Sequence, residues 1–223
     1  MTTPCSLSFL PDYYGHGNTI KSNELLYIDG SPIPWMTYPA IAYLNQLDFS
    51  KKQVFEYGSG SSTIYWSRRC KNVISVENDS DWYSKISAMN IDNAEIFFLQ
   101  GTDYVNKIQY HSPHDVIVID GRWRYDCGMH CLKFLRDGGM VILDNSERHP
   151  PIAKFFRDNG LIEVDMIGYG PINRYCWSTS IFFTQKFNIQ GRDDMQPRYS
   201  PGMVDSMEQN PTLINANRPN AMD

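Results

Sequence analysis

The segment between residues 54 and 77 constrains the fold more than any other part of this chain. The run Val54-Phe-Glu-Tyr-Gly-Ser-Gly-Ser-Ser-Thr63 predicts a buried strand, a glycine turn and the start of a helix. Val73-Ile-Ser-Val-Glu77 predicts a second strand that ends on an acid. Gly58 and Gly60 allow the backbone to approach a ligand closely, and the new helix directs free N–H groups towards it. Glu77 lies 19 positions after Gly58, about where an acid reaches a nucleotide ribose. The segment therefore predicts a site for a cofactor that contains adenosine.

Strand and helix patterns alternate through the middle of the chain. Predicted strands cover residues 53–57, 72–77, 94–99, 115–120, 139–143, 161–167 and 179–187, and predicted helices cover 39–47, 61–69, 79–89, 125–135 and 149–159. Uninterrupted apolar strands joined by helices indicate a parallel sheet that is covered on both faces. The last two strands follow each other without a helix, so we expect them to pair antiparallel. The predicted fold class is α/β: a Rossmann-like, seven-stranded, mostly parallel sheet with helices on both faces and an antiparallel last strand.

Length and charge limit the domain organisation and the partners. A chain of 223 residues with 42% hydrophobic residues is long enough for one sizeable α/β domain. We predict an N-terminal extension over residues 1–30, the main domain over 31–188 and a flexible C-terminal tail over 189–223, where four prolines and four asparagines occur. The net charge of -5 and the lack of a dense Lys/Arg run argue against a nucleic-acid partner.

Cysteine usage and hydropathy bear on the compartment. The cysteines form no CxxC pair, which favours packing as small hydrophobes over metal or redox work; they are Cys5, Cys70, Cys127, Cys131 and Cys176. No signal peptide and no membrane-spanning run is recognisable. We therefore expect a cytoplasmic protein in a reducing compartment, and the pattern makes no prediction of its oligomeric state.

Four sites along residues 35–188 carry a resemblance to a known family. They are Glu56-Tyr-Gly-Ser-Gly60, Glu77 at the end of strand two, Gly101-Thr-Asp103 after strand three, and Asp120 with Asp144-Asn145 after strands four and five. In this order of elements they resemble the class I S-adenosylmethionine-dependent methyltransferases. The resemblance implies S-adenosylmethionine as cofactor. The residues that it implies for cofactor binding are Glu56, Tyr57, Gly58, Ser59, Gly60, Ser61, Thr63, Glu77, Asn78, Thr102, Asp103 and Asp120.

The chemistry of the residues around the glycine turn supports interpretations that do not depend on this resemblance. Glu56 would offset the ammonium group of the cofactor's methionine part, directly or through water, and a dinucleotide has no such cation. Thr63 stands where the dinucleotide fingerprint has its third glycine. Glu77 would accept hydrogen bonds from both ribose hydroxyls. Three alternatives stay open: a glycine turn that serves geometry only, a solvated strand-end carboxylate at Glu77, and a turn cap at Asp103 in place of adenine recognition.

Asp120, Asp144 and Asn145 form a second group of candidates. Two carboxylates and an amide oxygen suit Mg²⁺ or another hard divalent cation. The runs Ile119-Asp-Gly-Arg-x-x-Tyr125 and Gly138-Gly-Met-Val-Ile-Leu-Asp-Asn145 resemble the metal-dependent O-methyltransferases of the catechol and caffeoyl-CoA type. That resemblance implies a metal bound by the two Asp and the Asn, which lowers the pKa of a substrate hydroxyl. The chain departs from the pattern in its Gly121-Arg122, its shorter 24-residue separation and its missing Trp after the Asn. The alternative is that these Asp and Asn residues cap turns at the strand ends of a protein that binds no metal.

The remaining candidates concern the methyl acceptor. Arg122, Trp123 and Arg124 follow strand four and would receive an anionic or sugar-like acceptor, or form an exposed loop. Trp35 would belong to a lid over the site, or would staple the following helix. Asp120, and His149 in the absence of a metal, are the candidate catalytic bases; a simple helix start is the alternative for His149.

The leading functional hypothesis is O-methylation of a small molecule or a sugar hydroxyl. The run Asp120-Gly-Arg-Trp123 does not match the Asn/Asp-Pro-Pro-aromatic motif typical of enzymes that methylate nucleobase amines. Two alternatives remain. One is a metal-independent methyltransferase that acts on a protein or polyketide group, and the other is a non-catalytic module that binds a nucleotide or cofactor.

Overall fold

The computed structural model describes residues 14–198. Cys5, the first part of the predicted N-terminal extension and residues 199–223 of the predicted tail lie outside the described residues. Within residues 14–198 one seven-stranded sheet has the order β3-β2-β1-β4-β5-β7-β6. Its strands are β1 (Gln53–Tyr57), β2 (Asn72–Glu77), β3 (Ala94–Phe98), β4 (His114–Ile119), β5 (Leu135–Asp144), β6 (Ile162–Gly168) and β7 (Trp177–Phe183).

The pairing of these strands confirms the predicted fold class. Parallel pairs join β1 to β2 and β4, β2 to β3, and β4 to β5. β7 runs antiparallel to both β5 and β6. The prediction that the last two strands pair antiparallel is therefore correct. Because β1, β2, β4 and β5 all run in the same direction, their carboxyl ends meet along one edge of the sheet, where ligands bind in open α/β folds.

Seven α-helices are present among the described residues. They are α1 (His16–Ser22), α2 (Tyr38–Leu44), α3 (Ser61–Ser67), α4 (Ser80–Ser87), α5 (Gly101–Asn106), α6 (Arg124–Cys131) and α7 (Pro150–Asp158). No helix within residues 14–198 is both long and apolar enough to cross a lipid bilayer.

Two hydrophobic cores cover the two faces of the sheet. Val54 of β1 packs with Ile41 of α2 and Trp66 of α3 in the first core. Phe55 of β1 packs with Tyr104 of α5 and Phe156 of α7 in the second core. Neighbouring residues of a strand point to opposite faces, so Glu56 lies on the same face as Val54 and beneath α3. Tyr57 lies on the opposite face.

Several boundaries differ from the predicted ones for identifiable reasons. β5 begins at Leu135 and not at residue 139, because Leu135 already pairs with His114 of β4, and after a register shift the pairing resumes at Met140. β7 ends at Phe183 and not at residue 187, because Phe187 closes a turn onto the carbonyl of Thr184. The helices α1 and α5 were not predicted. They have seven and six residues.

The segments on either side of the predicted main domain contact it in part. The Tyr14 ring stacks on the Tyr38 ring with centroids 3.9 Å apart. Near the other end, Ile189 is buried in the first core, and the Asp48 amide donates to the Gln190 carbonyl at 2.8 Å. The division into extension, domain and tail stays a prediction.

Candidate active site

A cavity of about 410 Å³ opens at the carboxyl ends of the central strands. It is lined by Leu25, Trp35, Gly58, Ser59, Gly60, Ser61, Ser62, Glu77, Asn78, Trp82, Asp120, Gly121, Arg122, Arg124, Asp144, Asn145, Arg148, Asn173 and Tyr175. Residues after β1 and β2 thus share one space with residues after β4 and β5. This is the crevice that the topology predicts.

The glycine turn after β1 has little room for any side chain. Gly58 has a φ of 100°, and a Cβ atom there would lie 2.9 Å from the Cα atom of Gly121. The loop after β4 therefore packs directly on the turn after β1. Gly60 differs, because a Cβ atom at this position would meet nothing within 4 Å. Its surroundings open into the cavity.

Glu77 ties the glycine turn to the end of β2. One carboxylate oxygen, Oε2, accepts from the Ser59 amide at 2.7 Å and from the Ser59 hydroxyl at 3.3 Å. The other, Oε1, accepts from the amides of Asn78 at 2.7 Å and Asp79 at 2.8 Å. Glu77 is only 7% exposed. The sequence predicted a ligand-binding carboxylate, and the structure adds that this side chain also orders both turns around the cavity.

Glu56 is fully buried beneath the glycine turn. Its Oε2 atom accepts from the Thr63 hydroxyl at 2.5 Å and from the Ser75 hydroxyl at 3.2 Å. The Thr63 hydroxyl in turn accepts from the Gly60 amide at 3.0 Å. Glu56 Oε1 has no hydrogen-bond partner among the described residues. Burial raises the pKa of Glu56 to about 7, although its hydroxyl partners oppose the rise.

Some residues predicted to bind the cofactor do not line the cavity. The Tyr57 side chain lies in the second core, where its hydroxyl donates to the Val105 carbonyl at 2.9 Å. Thr102 and Asp103 are exposed in the first turn of α5 and lie outside the cavity lining. Thr63 and Glu56 lie behind the turn and hold it through the hydrogen bonds from the Gly60 amide to the Thr63 hydroxyl and from that hydroxyl to Glu56.

Two acceptor-side predictions also differ from the observed placement. Trp123 has a left-handed backbone with a φ of 48° and packs its ring edge-on to Tyr104, at a centroid distance of 5.2 Å, outside the cavity lining. His149 is half-buried at the start of α7, and burial lowers its pKa. It does not line the cavity either. Arg122 and Trp35 do line it.

Arg124 joins the ends of β4 and β5. Its Nε atom donates to the Gly121 carbonyl at 3.1 Å. Its Nη2 atom donates to the Asp120 carbonyl at 3.2 Å and to Asp120 Oδ1 at 2.8 Å. Its Nη1 atom donates to the Asp144 carbonyl and, at 3.0 Å, to Asn145 Oδ1. The guanidinium group thus lies among the three residues that were predicted to bind a metal.

The two aspartates differ in their surroundings. Asp144 is 3% exposed, and its Oδ1 atom accepts from Trp177 Nε1 at 3.0 Å and the Thr179 hydroxyl at 2.5 Å. Burial raises the pKa of Asp144 to about 6. Burial, followed by the charge of Asp144, raises the pKa of Asp120 well above its usual range, and Arg124 opposes that rise.

Comparisons with known proteins identify the fold. No protein-family model matches the chain, and no curated protein matches it either. A solved precorrin-6y C5,15-methyltransferase from Geobacter metallireducens matches with a TM-score of 0.55 at 11% identity, over 66% of this chain and 87% of that chain. The fold is that of the class I methyltransferases.

Other solved structures with this methyltransferase fold match less closely. An rRNA methylase from Streptococcus thermophilus matches with a TM-score of 0.47 at 17% identity, over 65% of this chain and 93% of that chain. A candidate caffeoyl-CoA O-methyltransferase from Staphylococcus aureus matches with a TM-score of 0.48 at 14% identity, over 66% of this chain and 80% of that chain.

The three residues predicted to bind a metal already make hydrogen bonds to protein donors. Asp120 Oδ1 and Asn145 Oδ1 both accept from Arg124, and Asp144 Oδ1 accepts from Trp177 and Thr179. Within residues 14–198 no cluster of three or more His, Cys, Asp or Glu side chains is arranged to hold a metal ion. The metal set predicted from the resemblance is therefore brought together in space, and one side-chain oxygen of each member already accepts from protein donors.

Pattern reading missed several cavity residues. Trp82, Arg148, Asn173 and Tyr175 line the cavity but belong to segments that carry no motif.

Proposed function

We propose that this protein is an S-adenosylmethionine-dependent methyltransferase that methylates a hydroxyl group of a small molecule or a sugar. The observation that carries the proposal is a single cavity that is lined both by the glycine turn with Glu77 and by Asp120. A direct transfer between two bound molecules requires such a shared space, because the reacting atoms must be held close together and in line.

The residues after β1 and β2 fit S-adenosylmethionine better than a dinucleotide. Gly60 leaves open space at the turn, and Glu77 presents a nearly buried carboxylate to the same cavity. Behind the turn, Glu56 keeps a buried oxygen without a hydrogen-bond partner, and this carboxylate would offset the charge of an ammonium group held at the turn through water. A dinucleotide carries no ammonium group. When bound, the cofactor supplies a methyl group on a positively charged sulfur.

Other residues that line the cavity fit a small polar acceptor. Trp35 is 40% exposed and Tyr175 is 52% exposed, and both line the cavity together with Arg122, Arg148 and Asn173. Aromatic rings stack on the apolar faces of sugars, while arginine and asparagine side chains hydrogen-bond to hydroxyl or carboxylate oxygens. The cavity volume lies within the usual range for small-ligand sites.

Asp120 is the better candidate for the base that removes the acceptor's hydroxyl proton. It lines the cavity, whereas His149 does not. Its Oδ1 atom is held by Arg124, and no hydrogen bond to its Oδ2 atom is present among residues 14–198. A base must reach the proton that it removes before its pKa matters. Asp120 therefore takes the proton in this proposal.

We further propose that residues 31–188 form the catalytic domain. The described parts of residues 1–30 and 189–223 would then support it, as the stacking of Tyr14 on Tyr38 and the burial of Ile189 indicate. A cytoplasmic location is proposed from the cysteine pattern, since Cys70, Cys127, Cys131 and Cys176 are all free thiols.

A methyl-transfer assay tests the proposed function. The full chain is incubated with S-adenosylmethionine that carries an isotopically labelled methyl group and with a panel of sugars, sugar acids and small phenols. We expect label on a hydroxyl oxygen of a panel member, less label with Asp120→Asn, and an unchanged amount with Glu24→Gln, an exposed position that is not among the cavity-lining residues. Transfer to amine acceptors alone would contradict the proposal.

A further inference from the structure

The Arg124 guanidinium group is hydrogen-bonded at every donor. A guanidinium group carries five N–H bonds. Five oxygen atoms accept from the Arg124 nitrogens: the carbonyls of Gly121, Asp120 and Asp144, and the side-chain oxygens of Asp120 and Asn145. The side chain is only 17% exposed. This arginine is therefore held in one place, with no donor left over for a substrate.

The oxygens around Arg124 are those that a divalent cation would use. Two of them, Asp120 Oδ1 and Asn145 Oδ1, are the side-chain ligands that the O-methyltransferase resemblance implied. Mg²⁺ and Ca²⁺ need oxygen ligands at roughly 2.0–2.6 Å. Here one guanidinium nitrogen lies 2.8 Å from Asp120 Oδ1 and another lies 3.0 Å from Asn145 Oδ1. A protein cation thus already contacts both of these oxygens.

The third implied ligand is held by other donors. Asp144 Oδ1 accepts from Trp177 Nε1 and from the Thr179 hydroxyl on the antiparallel strand β7. These bonds tie the carboxylate to β7, while the Asp144 carbonyl accepts from Arg124. A metal that used these three Oδ1 atoms would have to break bonds at all three residues, and each broken bond would leave a mostly buried donor without a partner.

We propose that Arg124 is the resident cation of this crevice, in the place that a divalent ion takes in metal-dependent O-methyltransferases. It acts as a positioning residue: it holds Asp120 and Asn145 at the acceptor side of the cavity, and its fixed charge stabilises the ionised Asp120 carboxylate. Methyl transfer then needs no divalent ion. The catalytic part of this inference rests on the proposed function, whereas the exclusion of metal does not.

Manganese binding tests the inference without any need for turnover. Mn²⁺ is titrated into the full chain and followed by the electron paramagnetic resonance signal of the free ion. We expect the wild-type protein to have no Mn²⁺ site that depends on Asp120, so that wild type and Asp120→Asn bind Mn²⁺ equally. Arg124→Ala opens the volume and frees the oxygens, so we expect it to bind Mn²⁺ about tenfold more tightly than the matched cavity variant Arg122→Ala. The double variant Arg124→Ala with Asp120→Asn should lose that binding.

Two results would overturn the inference. One is an Asp120-dependent Mn²⁺ site in the wild-type protein. The other is a folded Arg124→Ala variant that binds Mn²⁺ no better than Arg122→Ala. If Arg124→Ala does not fold, the wild-type titration still decides the question together with Arg124→Lys. The lysine variant keeps a cation in place, so it should exclude Mn²⁺, and Mn²⁺ binding by it would count against the proposal.

Chelation separates this inference from the proposed function. If S-adenosylhomocysteine binds and methyl transfer survives excess EDTA, both stand. If methyl transfer is lost with EDTA and returns with Mg²⁺, the inference fails and the proposed function stands. If S-adenosylhomocysteine does not bind at all, the proposed function fails, and the manganese titration alone decides the role of Arg124 as resident cation.

Discussion

The backbone amide of Ser59 donates a hydrogen bond to Oε2 of Glu77 at 2.7 Å. This bond joins the glycine turn after β1 to the acid that ends β2. The position of the Glu77 side chain is therefore coupled to the conformation of the glycine turn. Changes at Glu77 should affect both the shape of the cavity and its affinity for the cofactor.

Replacing Glu77 with Ala should weaken binding of S-adenosylhomocysteine. The change removes a nearly buried carboxylate and leaves the amides of Ser59, Asn78 and Asp79 without their acceptor. Hydrogen bonds to a charged group are worth about 1.5–3 kcal/mol, which corresponds to a loss of roughly tenfold to 100-fold in affinity. Isothermal titration of the wild-type protein and Glu77→Ala with S-adenosylhomocysteine measures this loss of affinity, with Asp103→Ala as the matched control. Equal losses at Glu77 and Asp103 would place the ribose site elsewhere.

Gly58→Ala should destabilise the fold more than Gly60→Ala. Gly58 has a φ of 100°, and a new Cβ atom would lie 2.9 Å from the Gly121 Cα atom. Left-handed strain alone costs roughly 1–2 kcal/mol for a residue with a Cβ. Gly60 has an extended φ of 174° and open space around it. Thermal unfolding of the two variants compares them, and a Gly60→Ala protein that is the less stable of the pair would refute this account of the turn.

Glu56 should make the protein less stable as the pH rises from about 4.5 to about 7. Its folded-state pKa is raised from 4.5 to about 7, so in that window the folded state holds a proton that the unfolded state has lost. Stability then falls with rising pH, by up to roughly 3 kcal/mol, and levels off above pH 7. The Glu56→Gln variant should lack this fall.

Denaturant unfolding across that pH window provides the measurement for Glu56. The relevant quantity is the difference in free energy of unfolding between wild type and Glu56→Gln. Glu24→Gln, an exposed position, controls for the general change in charge. A difference that stays constant from pH 4.5 to pH 7.5 would contradict the raised pKa.

Asp120→Asn should slow methyl transfer while leaving cofactor binding nearly intact. Removing a general base lowers rates by about 10²–10⁴-fold, and the amide keeps the size of the side chain. His149→Gln should have little effect, because His149 does not line the cavity. Single-turnover rates and S-adenosylhomocysteine affinities of both variants are compared. A larger rate loss at His149 than at Asp120 would reverse the assignment.

The sequence predicted the centre of the sheet well because its strands are buried on both faces. Val54, Phe55, Val73 and Ile74 are all almost fully buried, and such strands appear in sequence as unbroken apolar runs. The bounds of β1 and β2 were therefore correct. The same alternation shows that Tyr57 faces away from Glu56, so the Tyr57 side chain belonged to the core and not to the cofactor.

The role of Arg124 could not be predicted in the same way. Its acceptors come from the loop after β4 and from the end of β5, about 20 residues further along the chain. Their meeting point depends on the packing of two strand ends and on how α6 starts. A motif match to a metal site compares the oxygen ligands alone and does not register an arginine that has taken the place of the ion.

Isothermal titration with S-adenosylhomocysteine and with NAD tests the central claim most directly. The full chain should bind S-adenosylhomocysteine at one site, and Glu77→Ala should weaken that binding, while NAD should give no comparable heat. Saturable binding of NAD with no response to S-adenosylhomocysteine would contradict the account.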